Sequence, residues 1–351
     1  MQMREQVELA PYTTFGIGGP ARWFAEAEDE NSVAETVRFA RERGAPVFVL
    51  GGGSNVLVAD EGFPGLVLHI ALKGVEQNGD TFRAAAGENW DDFVSLAIER
   101  GYGGLECLAG IPGSVGGTPV QNVGAYGQEV SGTITLVRVL DVNHLTFAEL
   151  PAAACGFAYR RSIFNSTHRG RFIVTGVSFR LRRNANPVLS YADLKRHFEG
   201  RATTPTLAEA AAAVREIRHA KGMLLVEGEA DCRSAGSFFK NPVVAEKTYD
   251  EIAATTATAV PRFVATRGFV KIPAAWLVEQ SGFHKGYELG DVALSSRHAL
   301  ALINRGGAKA CEVLALRDQI VAAVQAKFHI RLEPEPVLVG FGGEQQAVPP
   351  R

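Results

Sequence analysis

The sequence predicts an α+β fold in two parts. A larger half over residues 1–221 divides into subdomains at about 1–71 and 72–221, and a smaller α+β domain follows over residues 222–351. Three observations lead there. Short strand-like and helix-like patterns alternate through residue 181. Two glycine-rich runs, within 50–58 and 104–127, each follow an apolar strand-like or helix-like segment. A polar and then Ala-rich stretch over 187–222 breaks the pattern before a long amphipathic helix near the end. With 351 residues the chain can bury a large core, and its length favours two or three domains over one.

The elements follow in order. Residues 16–21, Gly-Ile-Gly-Gly-Pro-Ala, match the Gly-x-Gly-x-x-Ala dinucleotide fingerprint in letters only. That fingerprint must close a strand and open a helix, whereas Pro11-Tyr12-Thr13-Thr14 precedes it and the next helix signal starts about ten residues on, so a Rossmann unit is excluded. Asn31 or Ser32 is expected to cap a helix, with Glu35 completing a box from Ser32, and Val33, Val37, Phe39 and Ala40 supply its apolar positions up to Gly44. Strands are expected at 46–50 and 66–70 around the first glycine run. A further strand at 81–87 and a helix over 91–100, turning Phe93, Leu96 and Ala97 inward, lead into the second run. Strand patterns return at 135–142 and 172–181. Residues 187–222 read as a connector or lid, with Tyr191 and a helix over 206–220 carrying Leu207, Ala210, Ala211, Val214 and Ile217. The last part holds short strands, a helix over 274–282, a strand at 336–340, and a long helix over 309–328. Val313, Leu316, Ile320, Val324 and Phe328 recur on that long helix at helical spacing. The tail over 342–351 lacks an apolar pattern and is expected to be mobile.

Composition excludes several classes. A net charge of −2 with no basic half argues against nucleic acid. No apolar run approaches the ~20 residues needed to span a bilayer, and residues 1–8 carry no apolar leader, so a cytoplasmic protein with no membrane partner is expected. The four cysteines (Cys107, Cys155, Cys232, Cys311) are far apart and lack Cys-x-x-Cys spacing, which points to buried apolar thiols instead of zinc or disulfides. Eight histidines show no ligand cluster, so no metal is implied. No Gly-Lys dipeptide occurs, which excludes a Walker A loop.

The glycine runs carry the chemistry. Residues 104–127 contain seven glycines and no Lys or Arg, so they can wrap a ligand closely and offer main-chain N–H donors, the way a pyrophosphate is held. Gly51, Gly52, Gly53, Ser54 and Asn55 repeat that chemistry, and two cradles suggest one extended cofactor. In the second cradle the candidates are Gly110, Ile111, Pro112, Gly113, Ser114, Gly116, Gly117 and Gly124. Outside the cradles, Tyr159-Arg160 among apolar residues can anchor a carboxylate, and Ser237, Lys240 and Asn241 can face a ligand. Glu333-Pro334-Glu335 reads on its own as a solvated turn, and His298 as a structural histidine.

Taken together these segments resemble a known family. Gly-Ile-Gly-Gly-x-Ala (16–21), Gly-Gly-Gly-Ser-Asn (51–55), Ala-Gly-Ile-Pro-Gly-Ser-Val-Gly-Gly (109–117), Gln-Asn-x-Gly-Ala-Tyr-Gly (121–127), Tyr-Arg-x-Ser-x-Phe (159–164), Ser-Ala-Gly-Ser-Phe-Phe-Lys-Asn-Pro (234–242) and Leu-Glu-Pro-Glu (332–335) are similar, in this order, to the UDP-N-acetylenolpyruvoylglucosamine reductase (MurB) family. The resemblance implies an FAD-binding half of the vanillyl-alcohol-oxidase type in two subdomains and a C-terminal substrate domain. It implies reduction of an enolpyruvyl ether on UDP-N-acetylglucosamine to UDP-N-acetylmuramate, with NADPH as reductant and the hydride delivered from flavin N5. Carried over by motif, Tyr159 and Arg160 hold the enolpyruvyl carboxylate, Ser237 protonates C2, and Glu335 works with Arg160 on the enolate-like intermediate. Lys240 and Asn241 contact the UDP part, and Tyr191 closes over the nucleotide as in the longer family type.

Two departures stand out: Arg161 follows the Tyr-Arg pair where an acidic or neutral residue is expected, and Pro336 replaces a β-branched residue after Glu335. With no separate nicotinamide fingerprint, NADPH and the UDP sugar are expected to share one cleft in a monomer. Ser54-Asn55 stands where many flavin oxidases of this fold carry an attaching histidine, so the FAD is expected to be non-covalent. A flavin oxidase and a non-catalytic UDP-sugar sensor are the rival readings.

Overall fold

The computed structural model describes residues 2–342, so of the tail expected to be mobile all but Gly342 lies outside the described residues. The N-terminal sheet runs in the order Met3–Glu8, Pro20–Ala27, Phe63–Ile70, Val47–Leu50. Its first pair is antiparallel and the other two are parallel. Helix Glu30–Glu42 packs on it through Val33, Val37 and Ala40. The helix begins earlier than its sequence suggests. Asp29 is the cap, its carboxylate accepting the Ser32 N–H at 2.7 Å while Ser32 Oγ accepts the Asp29 N–H at 3.2 Å. The expected Ser32–Glu35 box is therefore corrected to Asp29–Ser32, because aspartate reaches the third helical N–H and leaves Ser32 inside the first turn.

Glu30, in that first turn, ties the first sheet's layer to a second sheet. Its carboxylate accepts from Arg138 Nε and Nη2 at 2.7 and 2.8 Å and from Thr175 Oγ1 at 2.8 Å. These partners lie on strands Ile134–Asp141 and Phe172–Arg180 of the second sheet. That sheet is antiparallel throughout, in the order Thr146–Pro151, Ile134–Asp141, Phe172–Arg180, Thr81–Ala85, Val75–Asn78. Helix Trp90–Glu99, capped by Asn89, lays Trp90 and Phe93 against Phe179, with ring centres 5.9 and 5.0 Å apart. One continuous core runs from Trp23, Val33 and Leu66 to Phe82, Trp90 and Phe179.

A second core gathers Phe238, Phe239, Leu277 and the expected stripe Val313, Leu316, Ile320, Val324 and Phe328 of helix Ala310–Phe328, and takes in Phe15, Ile17 and Leu57 from the N-terminal part of the chain. In return, strand Val337–Val339 pairs in parallel with Val56–Val58. Asp60 also accepts the Ala310 and Cys311 N–H groups at 2.7 and 3.0 Å, where the long helix exposes unpaired donors. The glycine run at 16–19 leads into strand Pro20–Ala27, so the dinucleotide fingerprint lacks its helix in space as well.

Several elements lacked a clear sequence signal. These are strands Met3–Glu8 and Thr146–Pro151, helix Glu246–Thr255, and a small sheet of Val243–Ala245, Phe269–Lys271 and Phe263–Val264. Three of the four cysteines are buried, and burial pushes the Cys107 thiol up to about 12 and Cys155 to about 11. Cys311 is exposed, which corrects the expectation of four buried thiols: it sits in the first turn of its helix, next to the buried Ala310. Among the described residues no helix is long and apolar enough to cross a membrane, and no group of His, Cys, Asp and Glu could hold a metal ion.

Candidate active site

The two glycine cradles, distant in sequence, meet backbone to backbone. A Cβ on Gly52 would stand 2.7 Å from Gly113 Cα, and one on Gly53, at φ +62°, would stand 1.9 Å from Tyr12 O. Ser54 Oγ crosses the seam to donate to Pro112 O at 2.9 Å. Along this seam the N–H groups of Gly52, Gly53, Ser54 and Asn55 on one side, and of Ile111, Gly113 and Ser114 on the other, donate to no acceptor among the described residues. So many free main-chain donors, with no cationic side chain in either run, suit the pyrophosphate of an extended cofactor.

The remaining cradle glycines shape the loop. The Gly110 N–H is taken by Asp91 Oδ1 at 2.6 Å, Gly116 donates to Ala86 O and Gly117 to Ser114 O. A cavity of about 280 Å³ opens beside Gly51 and Gly52, lined also by Tyr12, Thr13, Thr14 and His69. A larger one of about 590 Å³ lies beyond Thr14 against residues 225–229, Cys232 and Arg233.

Beside the seam stands a charge pair. The turn that carries Tyr159 and Arg160 closes between Ala158 and Arg161, and places Arg160 at φ +53°, a left-handed conformation costly for a side chain of this size. Asn122 Nδ2 donates to Ala158 O and Asn165 Nδ2 to Arg160 O, both at 3.1 Å, which holds the turn there. Arg160 Nη2 donates to Gly124 O at 3.0 Å, so that cradle residue positions the guanidinium. Arg160 Nε lies 2.8 Å from Glu335 Oε1, with its N–H turned too far off the line for a hydrogen bond.

Burial raises the Glu335 carboxyl above the ordinary glutamate range, and Arg160 and Lys240 oppose that shift. Glu333, two residues earlier, is exposed and faces Lys240 Nζ at 3.5 Å. The solvated-turn expectation for this segment thus describes Glu333 and fails for Glu335, because residues 334–335 cross back onto the segment after Ser237. Glu335 N donates to Phe238 O at 2.9 Å, and Phe239 bridges Pro334.

Ser237 precedes two fully buried phenylalanines, which fix its backbone. Its half-buried hydroxyl has no hydrogen-bond partner among the described residues, so it is free to face a ligand. Two cations lie over the Tyr159 ring, with Arg160 Cζ 5.4 Å and Lys271 Nζ 4.1 Å from its centre. Burial raises its phenol pKa. Burial, and then the charge of Arg160, lowers the pKa of Lys271. Asn241 Oδ1 accepts the Ala274 N–H at 2.8 Å at the start of helix Ala274–Gln280. Tyr191 stands apart from this group, edge-on to Tyr126 of the second cradle at 5.3 Å. His298 Nδ1 accepts the Leu300 N–H, and burial pushes its pKa down to about 4.

The sequence assigns no individual role to Gln121 and Asn122, which appear only within the 121–127 motif, or to Lys271, and it places Asn55 only as a cradle donor. In space the Asn55 amide donates to Gln121 Oε1 at 3.1 Å and to Glu335 O at 3.4 Å. Asn122, buried and at φ +47°, could have been noticed as an asparagine suited to a left-handed turn among glycines.

Comparison with known proteins gives consistent results. Residues 228–339 match the family described as UDP-N-acetylenolpyruvoylglucosamine reductase, C-terminal domain, and residues 21–144 match the FAD binding domain family. The UDP-N-acetylenolpyruvoylglucosamine reductase of Thermobifida fusca is 42% identical over 348 residues, covering 95% of this chain and 97% of its own. That of Streptomyces coelicolor is 43% identical over 351 residues, covering 97% and 91%. The crystal structure of the reductase from Thermus caldophilus superposes with a TM-score of 0.66 at 27% identity, covering 96% of this chain and 100% of its own.

Proposed function

The chain belongs to the UDP-N-acetylenolpyruvoylglucosamine reductase family, with an FAD-binding domain, and we propose that it reduces UDP-N-acetylglucosamine enolpyruvate to UDP-N-acetylmuramate with NADPH. The observation that carries this reading is the Arg160–Glu335 pair at 2.8 Å, set directly beside a seam of free main-chain donors. The seam fits a pyrophosphate, and no residue in it could attach the flavin covalently through an imidazole. FAD, when bound, supplies the hydride.

The protein's own residues do the rest. Arg160, tied down by Gly124 O, presents a guanidinium to the enolpyruvyl carboxylate and withdraws charge as an enolate-like intermediate develops. Tyr159 walls the same carboxylate. Glu335, already paired with Arg160, offsets the cation between turnovers and orients it. Ser237, with its hydroxyl free, gives the proton to C2. Lys240, Asn241 and, from the connector, Tyr191 meet the UDP portion. One cleft then serves NADPH and the UDP sugar in alternation, in a cytoplasmic monomer. Anaerobic mixing tests the reading: NADPH bleaches the flavin absorbance, and the enolpyruvyl substrate restores it in a single phase. Flavin that NADPH reduces but the substrate fails to reoxidise overturns it.

A further inference from the structure

Glu335 has its two peptide groups held by opposite halves of the molecule. Its N–H donates to Phe238 O at 2.9 Å, next to Ser237, in the C-terminal part. Its C=O accepts Asn55 Nδ2 of the first cradle at 3.4 Å. The next residue, Pro336, has no N–H, so pairing with the cradle strand resumes only at Val337, whose N–H donates to Asn55 O at 2.9 Å. Asn55 therefore grips the chain on both sides of Pro336, by its side chain before and its backbone after.

What orients the Asn55 amide is Gln121 of the second cradle, whose Oε1 accepts the same nitrogen at 3.1 Å. Three residues further on, Gly124 O holds Arg160 Nη2 at 3.0 Å. One short stretch of the second cradle thus aims both members of the charge pair, the arginine directly and the glutamate through Asn55. Gln121 is half-buried, and its bond with Asn55 is the only hydrogen bond it makes among the described residues.

Resting on the reductase reading, we propose that Gln121 is a positioning residue for Glu335, acting through the Asn55 side chain. Without its acceptor, the Asn55 amide keeps only a 3.4 Å contact to the Glu335 carbonyl and is free to rotate away. The carboxylate then loses its aim at Arg160, and misplacement on the order of an ångström costs about ten- to a hundredfold in rate.

The test is a double-mutant cycle between Gln121→Ala and Glu335→Gln, read in single-turnover half-reactions, with FAD affinity measured separately by fluorescence titration. Gln121→Ala is expected to slow reoxidation by the enolpyruvyl substrate about tenfold while leaving FAD affinity and reduction by NADPH within about twofold of wild type. In the Glu335→Gln background the same change is expected to add almost nothing, because residues acting as a unit are non-additive. Gln121→Met, of similar length and with only a weakly accepting thioether sulfur, repeats the measurement if the alanine variant folds poorly. Equal slowing in both backgrounds, or weakened FAD binding with both half-reactions slowed, overturns the proposal and makes Gln121 a contact of the flavin itself. Failure of the reductase reading shows separately, in wild-type enzyme that the substrate cannot reoxidise.

Discussion

The glycine seam and the Arg160–Glu335 pair sit side by side but are built on opposite principles. The seam is main chain: glycines such as Gly52 and Gly53 pack so closely that added methyl groups have no room, and its donors are backbone N–H groups with no acceptor among the described residues. The pair is side chain, drawn from segments far apart in sequence and aimed by hydrogen bonds, from Arg160 to Gly124 O and from the Asn55 amide to Glu335 O. A seam of that kind holds a constant cofactor firmly, whereas a pair of that kind responds to substrate, because the ions can exchange partners. Damage to the first is expected to appear as lost binding. Damage to the second is expected to appear as lost rate in one half-reaction.

The sharpest way to break this division is Ser237→Ala, which removes a hydroxyl without touching the seam. Loss of a general acid costs about 10²–10⁴-fold, and stopped-flow traces should place all of it in reoxidation by the enolpyruvyl substrate. Comparable slowing of reduction by NADPH would make Ser237 structural and blur the two regions. Gly52→Ala probes the other side. Its methyl would meet Gly113 Cα at 2.7 Å, and overpacking of about 1–3 kcal/mol predicts FAD binding weaker on the order of ten- to a hundredfold. The flavin that remains bound should turn over at a normal rate, a result that equilibrium dialysis and single-turnover kinetics can check together.

A smaller effect tests whether the join between the two sheets at Glu30 matters to either region. Arg138 lowers the Glu30 pKa chiefly by hydrogen bonding, so Glu30 contributes stability above its unfolded value, and that contribution is lost as pH falls through the lowered folded pKa. Both partners are partly exposed, which limits the contribution to about 1 kcal/mol. Glu30→Ala should lower the melting temperature by a few degrees at pH 7 and leave the flavin spectrum unchanged. Below the lowered pKa its melting temperature should converge with that of wild type.

The contrast also explains what could be read from the sequence. A seam made of backbone needs runs of glycine with small polar residues, a local signal, so both cradles and the long helix with its Val313-to-Phe328 stripe were visible in the residues. Edge strand Met3–Glu8 carried too little apolar alternation to be seen, because only one side of it is paired and most of its residues face solvent. The choice between Glu333 and Glu335 could not be made from periodicity, since residues two apart share a face of a strand. It came from the family motif, and the geometry separates them by burial and by distance to Arg160. The role proposed for Gln121, although the residue opens one of the motifs, is illegible for the same reason: it depends on Asn55 and Glu335, neither of which is near it in sequence.

Glu335→Gln, followed in the substrate half-reaction across pH, tests the division of labour most directly. Burial raises the Glu335 pKa above its ordinary value of 4.5. A rate that needs its carboxylate is therefore present above that raised pKa and lost as pH falls through it. Wild type should show this acid limb in reoxidation by substrate, with none of matching pKa in reduction by NADPH. Glu335→Gln should lower kcat and kcat/KM together and abolish the limb, while Glu333→Gln leaves both nearly unchanged. An acid limb that survives in Glu335→Gln, or a variant slowed equally in both half-reactions, would contradict the account.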